Sequence, residues 1–192
     1  MAQLSKETSH THFCGVGLSD PKNPWNIGAA LRAAGAWGAS FVAVEGSRWR
    51  EHNGDFRHMD TEFARKRLPV FFTHYGVYLS DYVPYDCKVI GVERHSAATS
   101  IVEYRHPRRA FYVFGPEDGQ IPDLSYDKIV SLPSDGSLNL AVAVNCVLFH
   151  RELNGDWDVG ETNIKCPGCG SDHCGTNSPD TFHCNSCGRN FI

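Results

Sequence analysis

Six short runs rich in β-branched and aromatic residues recur along the chain: His12 to Leu18, Ser40 to Glu45, Val70 to His74, Lys88 to Glu93, Ala110 to Phe114 and Lys128 to Leu132. Between them lie stretches of helical spacing at about 26–37, 60–67, 76–82 and 137–153, with a single turn of helix near Asp123. Strands that alternate with helices return to the sheet by crossovers, so neighbours run in one direction. The alternation therefore predicts an α/β domain built on a mainly parallel sheet.

The last of these helices, SLNLAVAVNCVLFHREL from Ser137 to Leu153, is apolar on almost every side until His150. Such a helix needs protein all round it. Either the centre of the monomer or a second copy of the chain supplies that cover. With 192 residues, 41% of them hydrophobic, the chain can fill a core of ordinary size and carry a small appendage. The first segment, residues 1 to 11, is polar and expected to be flexible. It has no apolar stretch leading to a small-residue cleavage site, and no run of about 18 uncharged apolar residues follows. Neither export nor a membrane span is expected, and the setting is read as cytoplasmic.

Eight cysteines are present, and five of them fall in the final segment, as Cys166-x-x-Cys169, Cys174 and Cys184-x-x-Cys187. In a small secreted protein an even number would suggest disulfides, but two C-x-x-C pairs so grouped favour a metal in a reducing compartment. Each pair presents two thiolates from one tight turn, and Gly170 and Gly188 let the backbone curl towards the sulfurs. Cys166, Cys169, Cys184 and Cys187 are thus expected to hold one structural Zn²⁺ in a ribbon over residues 165–192. Four thiolates leave no open position for a catalytic water. Iron in a rubredoxin-like site fits the same knuckles, and a thioredoxin-like redox pair would need only one of them inside a βαβ fold. Cys174, His173 and His183 are left as surface or packing residues. The polar, turn-prone stretch at 154–164 reads as a linker between the ribbon and the domain at 12–153.

Three segments of that domain carry chemistry. The first is Asn23-Pro24-Trp25-Asn26-Ile27-Gly28-Ala29-Ala30-Leu31-Arg32, where Asn26 is placed to cap the helix and Ile27, Ala30, Leu31 and Ala34 form its buried stripe. Arg32 lies off that stripe, on a face with Gly28 and Gly35. The second is Phe114-Gly115-Pro116-Glu117-Asp118-Gly119, a glycine-rich turn at the end of a strand, where open α/β sheets bind ligands. The third is the strand ending Leu132-Pro133, followed by Ser134-Asp135-Gly136-Ser137-Leu138-Asn139 and the apolar helix. Ser137, Asn139 and the free amides of the first helical turn are expected to face a common crevice. Any of these segments alone is ordinary, since turns are made of such residues and Ser137 would also serve as a cap.

In series, N-P-x-N-x-G-x-x-x-R, F-G-P-E-D-x-x-x-P and S-L-N resemble the motifs of the SpoU branch of the SPOUT superfamily of RNA methyltransferases, over about residues 12 to 153. The resemblance implies a SPOUT-type α/β domain with a C-terminal trefoil knot, acting as a homodimer. It also implies transfer of a methyl group from S-adenosylmethionine to a ribose 2′-hydroxyl of tRNA or rRNA. On the family pattern, backbone groups around Gly115, Ile129, Ser137 and Leu138, with Gly91 beside them, hold the cofactor. Gly115 would let the cofactor approach closely.

Arg32 is then expected to orient the 2′-hydroxyl and stabilise its developing charge, because a free guanidinium does not readily give up its proton. Asn26, Glu117, Ser137 and Asn139 would fix Arg32, the cofactor and the nucleotide. RNA needs local positive charge even on a chain of formal net charge -4. The candidates are Arg48 and Arg50 around Trp49, then Arg65 and Arg67, then Arg108 and Arg109, with Trp49 available to stack on a base. Two other readings remain at this point: a SPOUT enzyme that methylates a base nitrogen, and a non-catalytic RNA-binding adaptor. A dinucleotide-binding Rossmann domain is disfavoured, because no G-x-G-x-x-G follows the first strand.

Overall fold

All six apolar runs form strands in the computed structural model, which describes residues 12–52, 54–155, 166–171, 174–178, 181–184 and 186–191. They are β1 (Phe13–Ser19), β2 (Phe41–Glu45), β3 (Val70–Phe72), β4 (Lys88–Val92), β6 (Arg109–Phe114) and β7 (Lys128–Ser131), joined by a two-residue edge strand, β5 (Thr99–Ser100). The order is β3-β2-β1-β6-β4-β7-β5, and every pairing is parallel. A parallel sheet of this kind is buried on both faces, which is why β1 and β6 are apolar almost without interruption. On one face, Val16, Leu18, Val44, Tyr112 and Phe114 pack with the two long helices. On the other, Phe41, Phe111 and Val113 are covered by Leu79 and by Leu124 and Tyr126 from irregular chain.

Helix α1 (Pro24–Ala36) begins earlier than its spacing suggested, and its N-cap is Asn23, whose side chain accepts from the Trp25 amide at 2.9 Å. Asn26 is not the cap. Pro24, with no N–H to satisfy and φ already helical, is suited to the first position and moves the start back. The expected buried stripe is as read: Ile27, Ala30, Leu31 and Ala34 are all buried. The expected helices at 60–67 and 76–82 are only 3₁₀ turns, at Ala64–Lys66 and Leu79–Tyr82, and no helical turn forms at Asp123. In the first case the buried Asp60 carboxylate takes the Ala64 and Arg65 amides at 2.7 and 3.1 Å, a local bond that competes with helix.

Helix α2 (Leu140–Asn154) starts after Asn139, which caps it by accepting from the Ala141 and Val142 amides. Ser137 therefore lies outside the helix. The chain covers most of α2, but Val142, Phe149 and Leu153 stay exposed on one stripe, Leu153 at 64%. No helix among the described residues is long and apolar enough to cross a membrane.

At the amino end of β6, α2 brings a buried polar group to the sheet. The Arg151 guanidinium donates to the carbonyls of Pro107, Arg108 and Phe13 and to the Tyr112 hydroxyl. His106, at 0% exposure, contacts that hydroxyl at 2.6 Å through Nδ1 and His150 Nδ1 at 2.8 Å through Nε2. Burial, with the added repulsion of His150 and Arg151, pushes the His106 pKa down to about 3.

The chain divides into two compact units, Met1–Asp156 and Trp157–Ile192. The expected flexible segment 1–11 and all but the first two residues of the expected linker lie outside the described residues; of those two, Asn154 closes α2 and Gly155 forms a bridge with His106. In the second unit, β8 (Cys174–Ser178), β9 (Thr181–Cys184) and β10 (Asn190–Phe191) make an antiparallel sheet in the order β10-β9-β8.

Because His106 is held neutral in the fold but binds a proton near pH 6.5 when unfolded, the unfolded state takes up more protons between those values. Stability is then full above about pH 6.5 and falls as pH drops towards 3. His106→Asn should be less stable at pH 7 yet lose less between pH 7 and 5 than the wild type, as read by urea titration at both pH values.

Candidate active site and metal centre

The carboxyl ends of β4, β6 and β7 open into one cleft, with an empty volume of about 660 Å³ that includes its mouth. Its walls come from Val92 at the end of β4 with Glu93 and Arg94 after it, Gly115 to Glu117 after β6, and the loop from Leu132 to Leu138 ahead of α2. This is where a parallel sheet leaves room for a ligand.

The three sequence segments meet here through a chain of side chains. Asn26 Nδ2 donates to Glu117 Oε1 at 2.6 Å, and Asn26 Oδ1 accepts from Asn139 Nδ2 at 2.8 Å. Glu117 also takes the backbone amides of Lys22 and Asn23 at 2.8 and 3.3 Å. One carboxylate thus holds the entry to α1, while Asn26 passes the connection to the cap of α2. Burial alone would raise the Glu117 pKa, but the amides of Lys22 and Asn23 and the Asn26 side chain outweigh it and hold the carboxyl below its usual range. Its contribution to stability is accordingly present above the ordinary carboxylate pKa and is lost as acid protonates it.

Gly115, Ser137 and Leu138 line the cleft. The reason for Gly115 is internal: a Cβ there would stand 2.9 Å from the backbone of Gln120 and Ile121, where the loop doubles back. Gly91 and Ile129 are paired with each other in β4 and β7 and are not among the residues that line the cleft; a Cβ on Gly91 would strike Ile121. Two lining residues were not singled out from sequence. Glu93 accepts from the Ile121 amide at 3.0 Å, and Arg94 donates to the Asp135 carbonyl at 3.2 Å, so each braces one loop of the cleft. The available signal was their place just after β4, equivalent to that of Gly115 after β6.

Arg32 is exposed and does not line the cleft, and its side chain makes no hydrogen bond or ion pair with the described residues. Its neighbours at Gly28 and Gly35 are in fact covered: a Cβ on Gly28 would lie 1.9 Å from the Phe56 carbonyl oxygen, and one on Gly35 would lie 2.7 Å from Ala64 Cβ. The small residues admit the 54–64 segment and leave Arg32 beside it.

Of the arginines proposed for RNA, Arg48 is held by both Asp118 oxygens at 2.9 and 2.8 Å and lies 3.6 Å from Asp20. Arg65 is paired with buried Asp60 at 2.9 Å. Both are therefore neutralised within the fold. Trp49 packs on Phe56 and Phe72 with its indole nitrogen buried, which removes it as a base platform, while Arg50 lies exposed over its ring. Arg67 is exposed, and among the described residues its guanidinium bonds to the Glu62 carbonyl alone. Arg108 and Arg109 are at the amino end of β6, the opposite end of the sheet from the cleft.

In the second unit the four Sγ atoms of Cys166, Cys169, Cys184 and Cys187 all lie within 4.8 Å of one another. Zn–S bonds of about 2.3 Å in a tetrahedron put sulfurs about 3.8 Å apart, so the donor set fits. The two knuckles repeat one pattern. Gly170 N–H donates to Cys166 O and Gly188 N–H to Cys184 O, both at 2.8 Å, with φ of 72° and 73° at the two glycines.

Residues 14–149 match the family model of the SpoU rRNA Methylase family. The chain belongs to this family. The SpoU methyltransferase AviRb from Streptomyces viridochromogenes is 23% identical, with a TM-score of 0.63 over 72% of this chain and 58% of its own. This SpoU-family chain thus spans less than two thirds of AviRb. A structure described by the 2-OH methylation of C/U34 on tRNA is 22% identical, with a TM-score of 0.63 over 74% of this chain and 97% of its own. A TrmH/SpoU tRNA modifying enzyme from A. aeolicus is 18% identical, with a TM-score of 0.61 over 75% and 80% of the two chains. None of the curated proteins compared is a match. The mainly parallel sheet agrees with the fold of these SpoU proteins.

Asn139→Ala removes both a helix cap and the link to Asn26, and should cost about 2 kcal/mol. Asn139→Ser keeps a capping oxygen and should recover about half of that loss in thermal melts.

Proposed function

We propose that the protein transfers a methyl group from S-adenosylmethionine to a ribose 2′-hydroxyl of tRNA or rRNA. The observation that carries this reading is the hydrogen-bonded chain from Glu117 through Asn26 to Asn139, which draws three segments around one cleft. S-adenosylmethionine supplies a sulfonium-activated methyl group; AviRb has been solved in complex with AdoMet. The lining suits such a ligand: Val92, Leu132, Leu138 and Ala143 give apolar wall, and Glu93 and Glu117 add carboxylate residues that would favour a cation. At Gly136 a Cβ would meet nothing within 4 Å, so the wall there is bare backbone open to an adenosine edge.

In-line displacement demands alignment above all. Glu93 and Arg94 hold the two loops at fixed separation, and Ser137, Leu138 and Gly115 offer backbone polar groups from the cleft wall. Arg32 orients the 2′-hydroxyl and stabilises the charge that develops on its oxygen. Since Arg32 stands outside the cleft of its own chain, a homodimer suits this role. Association through the exposed stripe of Val142, Phe149 and Leu153 would complete the cover of α2 and bring α1 of one protomer to the partner. The trefoil crossing of the C-terminal half belongs to the same proposal. The ribbon holds one structural Zn²⁺, and its four cysteines, none of them in a disulfide, suit a reducing cytoplasm. It shapes the choice of RNA and takes no part in the chemistry.

Nucleoside mass spectrometry of tRNA and rRNA treated with the protein and S-adenosylmethionine should show a new 2′-O-methylnucleoside; a base-methylated product would contradict the reading. Arg32→Lys should lower kcat at least about 100-fold with cofactor affinity unchanged. Near-full activity would remove Arg32 from the mechanism. Metal analysis of protein purified without chelators should find one zinc per chain, lost in Cys184→Ser.

A further inference from the structure

Three residues other than glycine have left-handed backbone among those described: Asp20 at φ 41°, Asp86 at φ 60° and Phe63 at φ 52°. Aspartate tolerates this region through its short polar side chain, whereas a bulky residue there is an outlier. Phe63 is also 52% exposed, so its ring adds little to the core. Glycine or asparagine would serve the backbone better on both counts. The turn is nonetheless firmly built. Asp60, at 0% exposure, takes the Ala64 and Arg65 amides and the Arg65 guanidinium, and the Phe63 amide donates to the Asp60 carbonyl at 3.0 Å.

What surrounds the ring is positive. Lys66 Nζ lies 4.8 Å and Arg65 Cζ 5.4 Å from its centroid, and Arg67 follows. Asp60 neutralises Arg65, but Lys66 and Arg67 have no acidic partner among the described residues. The segment runs along α1, with Met59 against Gly28 and Ala64 against Gly35. Arg32 falls on the turn between those glycines, about 40° round the helix from Gly28. An exposed aromatic, unpaired cations and Arg32 therefore share one surface, to which Trp25, 50% exposed on the same stripe as Arg32, also belongs.

We propose that Phe63 is the platform on which an unpaired base of the substrate RNA stacks, with Lys66 and Arg67 on the flanking phosphates and Arg32 at the ribose. An exposed ring with cations over it combines a surface for stacking with charge for phosphate, the pairing that holds single-stranded nucleic acid. It favours a polyanion over an apolar protein surface, which would have to desolvate both charges. The inference rests on the RNA methyltransferase reading above and adds to it the place where the nucleotide is gripped.

The test uses the full chain, a fluorescent single-stranded RNA oligonucleotide of mixed sequence, and unfractionated tRNA. Phe63→Asn should melt at the same or a higher temperature, bind S-adenosylmethionine as the wild type does, and bind both RNAs about tenfold more weakly. The salt dependence of its RNA affinity should be unchanged, whereas Lys66→Ala should flatten the slope by about one counterion. Phe63→Trp should restore affinity. Unchanged RNA affinity in Phe63→Asn, beside a wild type that binds and methylates RNA, overturns the platform and leaves the function standing. A loss that sedimentation traces to dissociation of a dimer assigns the ring to a protein contact and also overturns it. Failure of the wild type to bind either RNA removes both proposals.

Discussion

The Glu117 carboxylate is the point on which the first unit's site depends. It accepts from Lys22, Asn23 and Asn26, residues that lie more than ninety positions earlier in the chain, and through Asn26 it reaches Asn139 at the head of α2. Asn26 is buried, and these contacts satisfy polar groups of its side chain that burial would otherwise leave unpaired, so the set is worth more together than apart. The same bonds lower the proton affinity of Glu117 and keep it charged in the cleft wall. A parallel sheet supplies the frame; this chain sets the distance between its loops.

Around that point the molecule separates support from chemistry. Glu93 and Arg94 brace the two cleft loops, and Asp118 and Asp60 neutralise Arg48 and Arg65 within the fold. Arg32, Lys66 and Arg67 stay free of acidic partners among the described residues, and they gather along α1 and the segment packed on it. Positive charge for RNA is thus a matter of which arginines lack a carboxylate, a distinction that counting basic residues cannot make. The ribbon, with its two matched knuckles, is a second unit whose donor set is closed to catalysis.

The strands were legible because a parallel sheet buried on both faces needs unbroken apolar runs, and each run was found within about two residues of its observed strand. The two-residue β5 carries no such pattern. Asn26 shows where reading along the chain stops. An asparagine before an apolar stripe caps a helix as readily as it bridges distant groups, and only Glu117, 91 residues away, decides between them. Likewise the helix expected at 60–67 is undone by one buried aspartate and a left-handed Phe63. The motifs were visible as segments; their wiring, and the exposure of Arg32 outside the cleft, depended on tertiary packing.

The claim that these three segments act as one unit is tested most directly by a double-mutant cycle between Glu117 and Asn139, which do not touch but share Asn26. Titration calorimetry of S-adenosylmethionine into the wild type, Glu117→Ala, Asn139→Ala and the double variant measures the coupling. A chain of shared hydrogen bonds predicts that the double variant loses less affinity than the sum of the two single losses, by about 0.5 kcal/mol or more. Additive losses would mean that the segments bind independently and would contradict the account.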